Sequence, residues 1–237
     1  MDQRVLKRVA EPDAQDALAI PDYLEKTYHW AYINPETVTW LDRGIIVWAI
    51  LWGNSGRLMR AAFKEIKPGT KVLQAAYVYG GFTPGLAAHV GSHGQLDVID
   101  IVPLQVENCR KRLRKWPQAD ARLADAAMAG GGSYEGICCY FLLHEMPNDK
   151  KIDVVKGLLD QVAAGGKLVF VDYHRPARFH PLAAIMNFIW RRFEPYAFGL
   201  LETEIQTLAG IQRSGLYRWS KQTYFGGLYQ KVVAERI

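Results

Sequence analysis

The chain has little cysteine and no long apolar run. Its three cysteines, Cys109, Cys138 and Cys139, are odd in number, and the adjacent pair should point to opposite faces of a strand. That pattern excludes a disulfide framework and a cysteine metal site, and it suits a reducing compartment. The most apolar stretch, residues 45–52, is far too short to cross a bilayer, and residues 1–20 lack the apolar core of a signal peptide. We therefore expect a cytoplasmic protein, with any contact with the inner membrane peripheral.

Internal repeats and low-complexity tracts are also missing, and 49% of the residues are hydrophobic. A chain of 237 residues with this composition predicts one α/β domain with a well-filled core. Within it we place a helical cap at residues 1–66 and a cofactor-binding region at residues 67–237. Aromatic side chains at irregular helical spacing are usually core, and their number here suggests a cap over a flat, apolar ligand. These aromatic residues are Tyr23, Tyr28, Trp30, Tyr32, Trp40, Trp48 and Trp52.

Acidic residues are outnumbered, which leaves a net charge of +5. Such a balance suits an anionic membrane surface or a nucleic acid. The basic residues at 110–115 fall on several sides of one helix, as on a solvated face. Later basic residues flank an apolar helix at residues 182–190, whose exposed face we expect to rest at a lipid interface. No nucleic-acid recognition module is recognisable, so we expect no nucleic-acid partner.

Short apolar runs alternate with helical segments from residue 67 onwards. This alternation predicts a doubly wound, mainly parallel sheet of seven strands, with function at the carboxyl ends of the strands. The predicted strands are residues 71–76, 95–101, 123–125, 135–143 and 167–171, with an antiparallel edge pair at 216–225 and 228–234. The predicted helices between them include residues 84–90 and 150–163.

The loop after the first strand lacks most of the glycines expected of a nucleotide-binding loop. Compared with the pattern of S-adenosylmethionine (SAM) methyltransferases, Gln74 stands in the place of an acid, and Ala76 and Val78 stand in the places of the first two glycines. Only Gly80 remains in register. Glycines belong there because the backbone must turn sharply with positive φ and approach the ligand closely. Tyr77 and Tyr79 add bulk instead.

Two acids follow at places where cofactor contacts are expected. Asp100 lies twenty positions after Gly80, the distance at which an acid at the end of the second strand meets ribose hydroxyls. Asp125 and Ala126 stand at the end of the third predicted strand, where an acid can meet an adenine amino group. The predicted cofactor contacts are therefore Gln74, Ala76, Tyr79, Gly80, Thr83, Asp100, Ile101, Asp125 and Ala126.

These features, together with residues 143–147 and 164–169, resemble class I SAM-dependent methyltransferases, in particular the ubiquinone and menaquinone branch, over residues 60–235. The sequence Val-Tyr-Gly-Gly-Phe-Thr at residues 78–83 resembles the signature of the rhodoquinone-biosynthesis family RquA, which has this element in place of the glycine motif. The aromatic elements at residues 30–32 and 51–54 extend that resemblance over nearly the whole chain.

The resemblance implies conversion of ubiquinone to rhodoquinone, in which an amino group replaces a ring methoxy group. It further implies SAM as amino donor and a divalent metal, manganese (Mn2+). His144 and Glu145 end the fourth predicted strand, and Asp172 and His174 end the fifth, so we expect the metal ligands among these four residues. Tyr77, Tyr79 and His144 are the predicted catalytic residues, with the tyrosines either positioning the cofactor or transferring a proton.

Two other functions remain open at this point. The first is a conventional methyltransferase that acts on a quinone or another apolar acceptor and releases S-adenosylhomocysteine. The second is a non-catalytic member of a quinone-biosynthesis assembly that kept the fold and lost the glycines. The sequence leaves the oligomeric state undecided.

Overall fold

The computed structural model describes residues 19–33, 35–128 and 133–237. The expectation that the chain starts without a signal peptide concerns residues 1–20, of which 1–18 lie outside the described part. The same residues begin the predicted cap, and its boundary at residue 66 stays a prediction.

A seven-stranded sheet runs through the molecule in the order β3-β2-β1-β4-β5-β7-β6. Strands β1 to β5 pair in parallel, whereas β7 lies antiparallel between β5 and β6. The predicted mainly parallel α/β fold is confirmed, with an antiparallel pair that makes the sheet mixed. The strands are β1 Lys71–Ala75, β2 Gln95–Asp100, β3 Ala119–Leu123, β4 Tyr134–Tyr140, β5 Val162–Tyr173, β6 Tyr217–Tyr224 and β7 Tyr229–Arg236.

The third strand was predicted at the wrong place. Residues 123–125 were expected to form it, whereas β3 starts four residues earlier, at Ala119. As an edge strand, β3 buries only Ala121 fully and turns Asp120 to solvent, so its apolar signal is weak. Asp125 consequently lies in the loop beyond the strand.

Helices cover both faces of the sheet. Alternate strand residues point to opposite layers, so Val72 and Cys138 pack with α4, α5 and α6, whereas Leu73 and Cys139 pack with α7. The three cysteines are free and buried. The helices are α1 Asp22–Tyr28, α2 Pro35–Leu41, α3 Gly44–Ile50, α4 Ser55–Phe63, α5 Phe82–Val90, α6 Pro103–Leu113, α7 Asn148–Leu159, α8 Ala183–Phe193, α9 Phe198–Glu202, α10 Ile205–Leu208 and α11 Gly210–Ser214.

The N-terminal helices lie over the carboxyl ends of the parallel strands. A π-helical turn, His29–Ile33, follows α1, and its residues face the loop after β1. Tyr28 is buried, but Trp40 and Trp48 are about half exposed, so these two tryptophans are not the core residues that their spacing suggested. Trp48 lies on α3, which buries none of its residues in the described structure, and Trp40 lies near the end of α2.

Candidate active site

A pocket of about 210 Å³ lies between the N-terminal helices and the carboxyl ends of β1, β2, β4 and β5. Its walls are mostly aromatic and aliphatic, which suits an apolar ligand. Tyr32, Val47 and Leu51 form the helical side, and Tyr140 and Tyr173 come from the strands. A small number of polar groups, described below, converge on this space.

The loop after β1 keeps a glycine-like backbone without the glycine. Ala76 has φ of 66°, in the left-handed region that costs a residue with a Cβ on the order of 1 kcal/mol. The Gln74 side-chain amide stabilises the turn, because its Nε2 donates to Ala76 O at 2.9 Å and to Thr83 Oγ1 at 2.8 Å. Gln74 and Thr83 are fully buried, so both act inside the loop.

The bulky residues of the loop hold the helical cap. The Tyr77 hydroxyl donates to Asp42 Oδ2 at 2.9 Å, and Gly80 N donates to Asp42 Oδ1 at 2.8 Å. The Tyr79 hydroxyl donates to Ala31 O at 2.7 Å, in the π-helical turn. Burial raises the pKa of both tyrosines far above the ordinary value, so both hydroxyls stay protonated donors.

Asp42 is a functional candidate that sequence reasoning missed. It accepts the two bonds from the loop and a two-pronged ion pair from Arg112 on α6, with Nε–Oδ2 at 3.0 Å and Nη2–Oδ1 at 2.9 Å. No motif marks it, because its role depends on the cap lying against the loop and α6.

The predicted ribose acid faces the pocket. Asp100 accepts Tyr77 N at 2.9 Å and Val102 N at 2.8 Å, and burial raises the pKa of its carboxyl to about 6. Ile101 lines the same wall. Asp125 and Ala126 also line the pocket, and Asp125 Oδ1 accepts Ala127 N at 2.8 Å. The residues expected to hold a nucleoside are therefore brought together.

An ionisable cluster forms the opposite wall. His144 and Glu145 lie on a 3₁₀ turn after β4, Leu143–Glu145, and both are buried. His144 Nδ1 lies 2.8 Å from Asp172 Oδ1, and Asp172 Oδ2 also accepts Leu143 N at 3.0 Å. Asp172 therefore orients the imidazole from behind and does not reach the pocket itself.

Glu194, just after α8, completes this cluster. Its Oε2 lies 3.7 Å from His144 Nε2, and Glu145 Oε1 lies 3.9 Å from the same nitrogen. The Tyr28 hydroxyl donates to Glu194 at 2.9 Å, and the Tyr32 hydroxyl donates to Glu145. Sequence reasoning missed Glu194; its one signal is that it is the first acid after a long acid-free segment.

His174 lies apart from this group. Its Nδ1 is 2.8 Å from Gly227 O, and it lines a second, open cleft together with Arg57 and Arg175. Of the four residues predicted as metal ligands, the structure brings His144 and Glu145 to the pocket, leaves Asp172 behind the imidazole and places His174 elsewhere.

The cluster holds more carboxyl groups than its imidazole can balance. Burial opposes protonation of His144, but Asp172 and then Glu194 raise its pKa to about 9. Burial raises the pKa of Glu145 to about 8 and also raises the pKa of Glu194. A buried set of three carboxyls with one imidazolium disfavours full ionisation, and an additional cation would relieve that cost.

Asp172→Asn should lower the pKa of His144 from about 9 towards or below the ordinary value of about 6.5, because burial then acts against weaker opposition. Between these two values the wild-type imidazole is charged and the variant imidazole is neutral. Because folding raises the pKa of wild-type His144, protonation of this residue stabilises the fold fully below pH about 6.5. This contribution is lost as the pH rises through about 9.

NMR titration of the His144 ring measures this change, with its resonance assigned by its loss in His144→Gln. An unchanged His144 titration in Asp172→Asn would show that Asp172 does not set its charge.

No protein-family model and no curated protein matches the chain. Solved structures do match in fold. One is an O-methyltransferase family protein from Burkholderia thailandensis, at a TM-score of 0.59 and 16% identity over 78% of this chain and 56% of that one. Human N-acetylserotonin methyltransferase in complex with SAM matches at a TM-score of 0.59 and 15% identity over 92% of this chain and 60% of that one.

The N-methyltransferase NodS from Bradyrhizobium japonicum, in complex with S-adenosyl-L-homocysteine, matches at a TM-score of 0.58 and 12% identity over 91% of this chain and 99% of that one. The chain thus spans less than two thirds of the first two proteins and nearly all of the third. At these identities the likeness defines the fold, and the fold is that of the methyltransferase-like α/β proteins.

Proposed function

We propose that the pocket exchanges a ring methoxy group of ubiquinone for an amino group, with SAM as the amino donor, and so forms rhodoquinone. One observation carries this proposal. The loop that normally holds the methionine part of SAM lacks its acid, and the replacing Gln74 amide donates only within the loop, to Ala76 and Thr83. The charge partner of a SAM amino group is therefore missing, which leaves that nitrogen available as a nucleophile.

The pocket residues fit SAM as a substrate. Asp100 has a pKa of about 6 and is ionised at neutral pH, and each of its oxygens accepts one backbone N–H and retains lone pairs for ribose hydroxyls. Gln105 lines the same pocket, is almost fully buried, and its Oε1 has no hydrogen-bond partner among the described residues. A buried acceptor of this kind calls for a donor from a ligand.

The cavity also limits how the substrates enter. Its 210 Å³ is smaller than the roughly 300–1,000 Å³ of common ligand pockets. SAM and a quinone ring together need more space, so the cap held by Tyr77 and Tyr79 must shift outwards on binding. On this account the loop and the cap move together, and the bonds of Tyr77 and Tyr79 keep the cap over the bound substrates.

The proposed reaction forms an aminohydroquinone, the reduced form of rhodoquinone, without an external oxidant, and a second quinone or dioxygen then oxidises it to rhodoquinone. The SAM amino nitrogen bonds to the ring carbon that carries methoxy, and an electron pair moves to the quinone oxygen. Collapse of this oxyanion expels methoxide, which leaves with a proton as methanol. Loss of the SAM Cα proton then sends an electron pair into the ring, which gives a hydroquinone and an imine. Water hydrolyses the imine to an α-keto acid, and the nitrogen stays on the ring.

His144, Glu145 and Glu194 would hold a divalent cation at this site. One imidazole and two carboxylates suit manganese, and Asp172 on Nδ1 would keep the Nε2 lone pair directed at the ion. Bound there, the cation supplies Lewis-acid stabilisation of the ring oxyanion.

The three donors do not stand at metal-binding distances in this structure. Ligands about 2.1 Å from one ion lie roughly 3 Å apart. The observed separations from Nε2, 3.7 and 3.9 Å, are longer, and no three such residues among those described stand in metal-binding geometry. Binding of an ion would therefore require Glu145 and Glu194 to move towards Nε2 and away from the hydroxyls of Tyr32 and Tyr28.

The fold favours a second candidate, a conventional SAM-dependent methyl transfer to a quinone or another apolar acceptor. The structurally similar protein from Burkholderia thailandensis is named as an O-methyltransferase family protein, and the human one is named N-acetylserotonin methyltransferase. The same pocket would serve this reaction if it aimed the sulfonium methyl group at the acceptor.

The product of the purified protein distinguishes these functions. Protein, SAM and a short-tailed ubiquinone are incubated with and without manganese, and the quinone is analysed by mass spectrometry. We expect an aminoquinone only when manganese is present. In parallel reactions with a short-tailed quinol that has a free ring hydroxyl, a methylated product with S-adenosylhomocysteine would establish the second candidate. Absence of both products together with absence of SAM binding in calorimetry would establish a non-catalytic protein.

A further inference from the structure

Helix α3 is apolar on all sides and lies at the surface. Its sequence, Gly-Ile-Ile-Val-Trp-Ala-Ile, contains no polar side chain, and none of its residues is buried. Ile45 is 66% exposed and Trp48 is 52% exposed. Each Å² of apolar surface exposed to water costs about 25 cal/mol. The exposed side chains of α3 therefore favour a partner that covers them.

A second apolar surface lies beside it, on α8. Met186 and Trp190 bury one side of this helix, whereas Phe188 on the other side is 64% exposed and Ile185 is about half exposed. Trp52, which follows α3, joins the two helices because its indole N–H donates to Met186 Sδ at 3.3 Å. We call the exposed residues of these helices the apolar face: Ile45, Trp48, Ile50, Trp52, Ile185 and Phe188.

The Asp, Glu, Lys and Arg residues of the two segments that carry the apolar face are all basic. Residues 43–64 and 173–193, which contain the two helices, include no aspartate or glutamate. They do contain eight basic residues, all exposed: Arg43, Arg57, Arg60, Lys64, Arg175, Arg178, Arg191 and Arg192. Arg57 and Arg175 line one cleft, so the two basic segments meet there as well. An apolar, tryptophan-containing centre with a cationic surround is typical of surfaces that rest in an anionic lipid interface.

Helix α3 separates this face from the pocket. Val47 lines the pocket, whereas Ile45 and Trp48 point outwards, and Ile50 contributes to both. An apolar molecule that left a bilayer under the apolar face would thus reach the pocket past a single helix. No helix in the described part of the chain is long and apolar enough to span a membrane.

We infer that the apolar face docks on an anionic bilayer, with α3 as the element that meets lipid and guards the route into the pocket. The sequence alone pointed to α8; the structure adds α3, its tryptophans and the shared basic surround.

An acidic protein or a second copy of the chain would be the other possible occupants of the apolar face. The exposed basic residues of the two segments favour anionic lipid over a second copy, which would bring equal positive charge to the contact. The role of α3 in substrate entry rests on the proposed function, whereas the docking does not.

Vesicle co-sedimentation of the full chain tests the docking without SAM or quinone. Vesicles of phosphatidylcholine with phosphatidylglycerol should bind the protein, and pure phosphatidylcholine vesicles should bind it at least about tenfold more weakly, because each basic residue near an anionic surface strengthens binding. The double variant Trp48→Ser/Phe188→Ser should lose binding at least about tenfold, since it removes two large apolar side chains that lipid would bury.

Ile211→Ser is the matched control, because Ile211 on α11 is 95% exposed and lies outside the apolar face. It should bind as the wild type does. Equal binding of the double variant and wild type, an equal loss in Ile211→Ser, or absence of vesicle binding would overturn the proposal. If the wild type did not bind vesicles but formed a dimer, and the double variant were a monomer, the apolar face would be assigned to contact with a second copy. Because no turnover is measured, failure here leaves the proposed reaction untouched.

Discussion

Glu194→Gln is expected to lower aminoquinone formation by at least about a hundredfold and to raise the Tm of the metal-free protein. Gln keeps the shape of the side chain and an oxygen for the Tyr28 hydroxyl, but it removes an anionic donor 3.7 Å from His144 Nε2. Loss of groups that support a bound metal commonly costs about 10–100-fold, and loss of a direct donor costs at least the upper end of that range. The stability gain follows because burial penalises the charge of Glu194, as its raised pKa shows.

Three measurements check this prediction: steady-state turnover, calorimetric titration with manganese, and thermal melts without metal. Glu202→Gln is the control, because Glu202 is an exposed residue at the end of α9 and should leave all three unchanged. Unchanged turnover or manganese binding in Glu194→Gln would exclude Glu194 as a donor. A fall in Tm together with lost activity would instead identify a structural role.

Asp42→Ala should loosen the cap and destabilise the protein by about 3 kcal/mol. The substitution removes the acceptor of the Tyr77 hydroxyl and of Gly80 N and leaves Arg112 without its partner. Amide hydrogen exchange should accelerate in α1 to α3 while the central strands stay protected. The cap would then close less often over the substrates, so we expect KM for the quinone to rise at least about tenfold.

Asp120→Ala on β3 provides a matched control, because Asp120 is another acid that pairs with an arginine of α6. Asp120 pairs with Arg110 of α6 at 3.7 Å, but the Asp120 side chain is 80% exposed, so its loss should cost about 0.5 kcal/mol or less and leave KM unchanged. Equal effects of the two substitutions would show that the contacts of Asp42 with the loop have no special role. Accelerated exchange throughout the sheet would show global destabilisation in place of cap opening.

The parallel core and the cofactor wall could be predicted because their signals are local. Asp100 ends a buried strand twenty residues after Gly80. It therefore lies at the carboxyl end of the sheet independently of how the cap packs. Likewise, the adjacent Cys138 and Cys139 had to face opposite layers because side chains alternate along a strand. The edge strand β3 was mislocated because solvent covers its outer residues and weakens the apolar pattern.

The residues missed in the site depend on tertiary placement. Glu194 reaches His144 only because α8 returns across the ends of β4 and β5, and Asp42 meets Tyr77 only because the cap folds over the loop. Neither position carries a motif. The aromatic spacing predicts Trp48 as a core residue, but its helix is apolar on all sides and lies at the surface, which suits contact with lipid.

Transfer of the SAM nitrogen to the quinone ring is tested most directly by isotope labelling. Purified protein is supplied with manganese, a short-tailed ubiquinone and SAM that carries nitrogen-15 in its amino group, and the quinone is analysed by mass spectrometry. We predict an aminoquinone that contains the label, together with methanol and the α-keto acid of SAM. An unlabelled aminoquinone, or formation of S-adenosylhomocysteine without any aminoquinone, would contradict SAM as the amino donor.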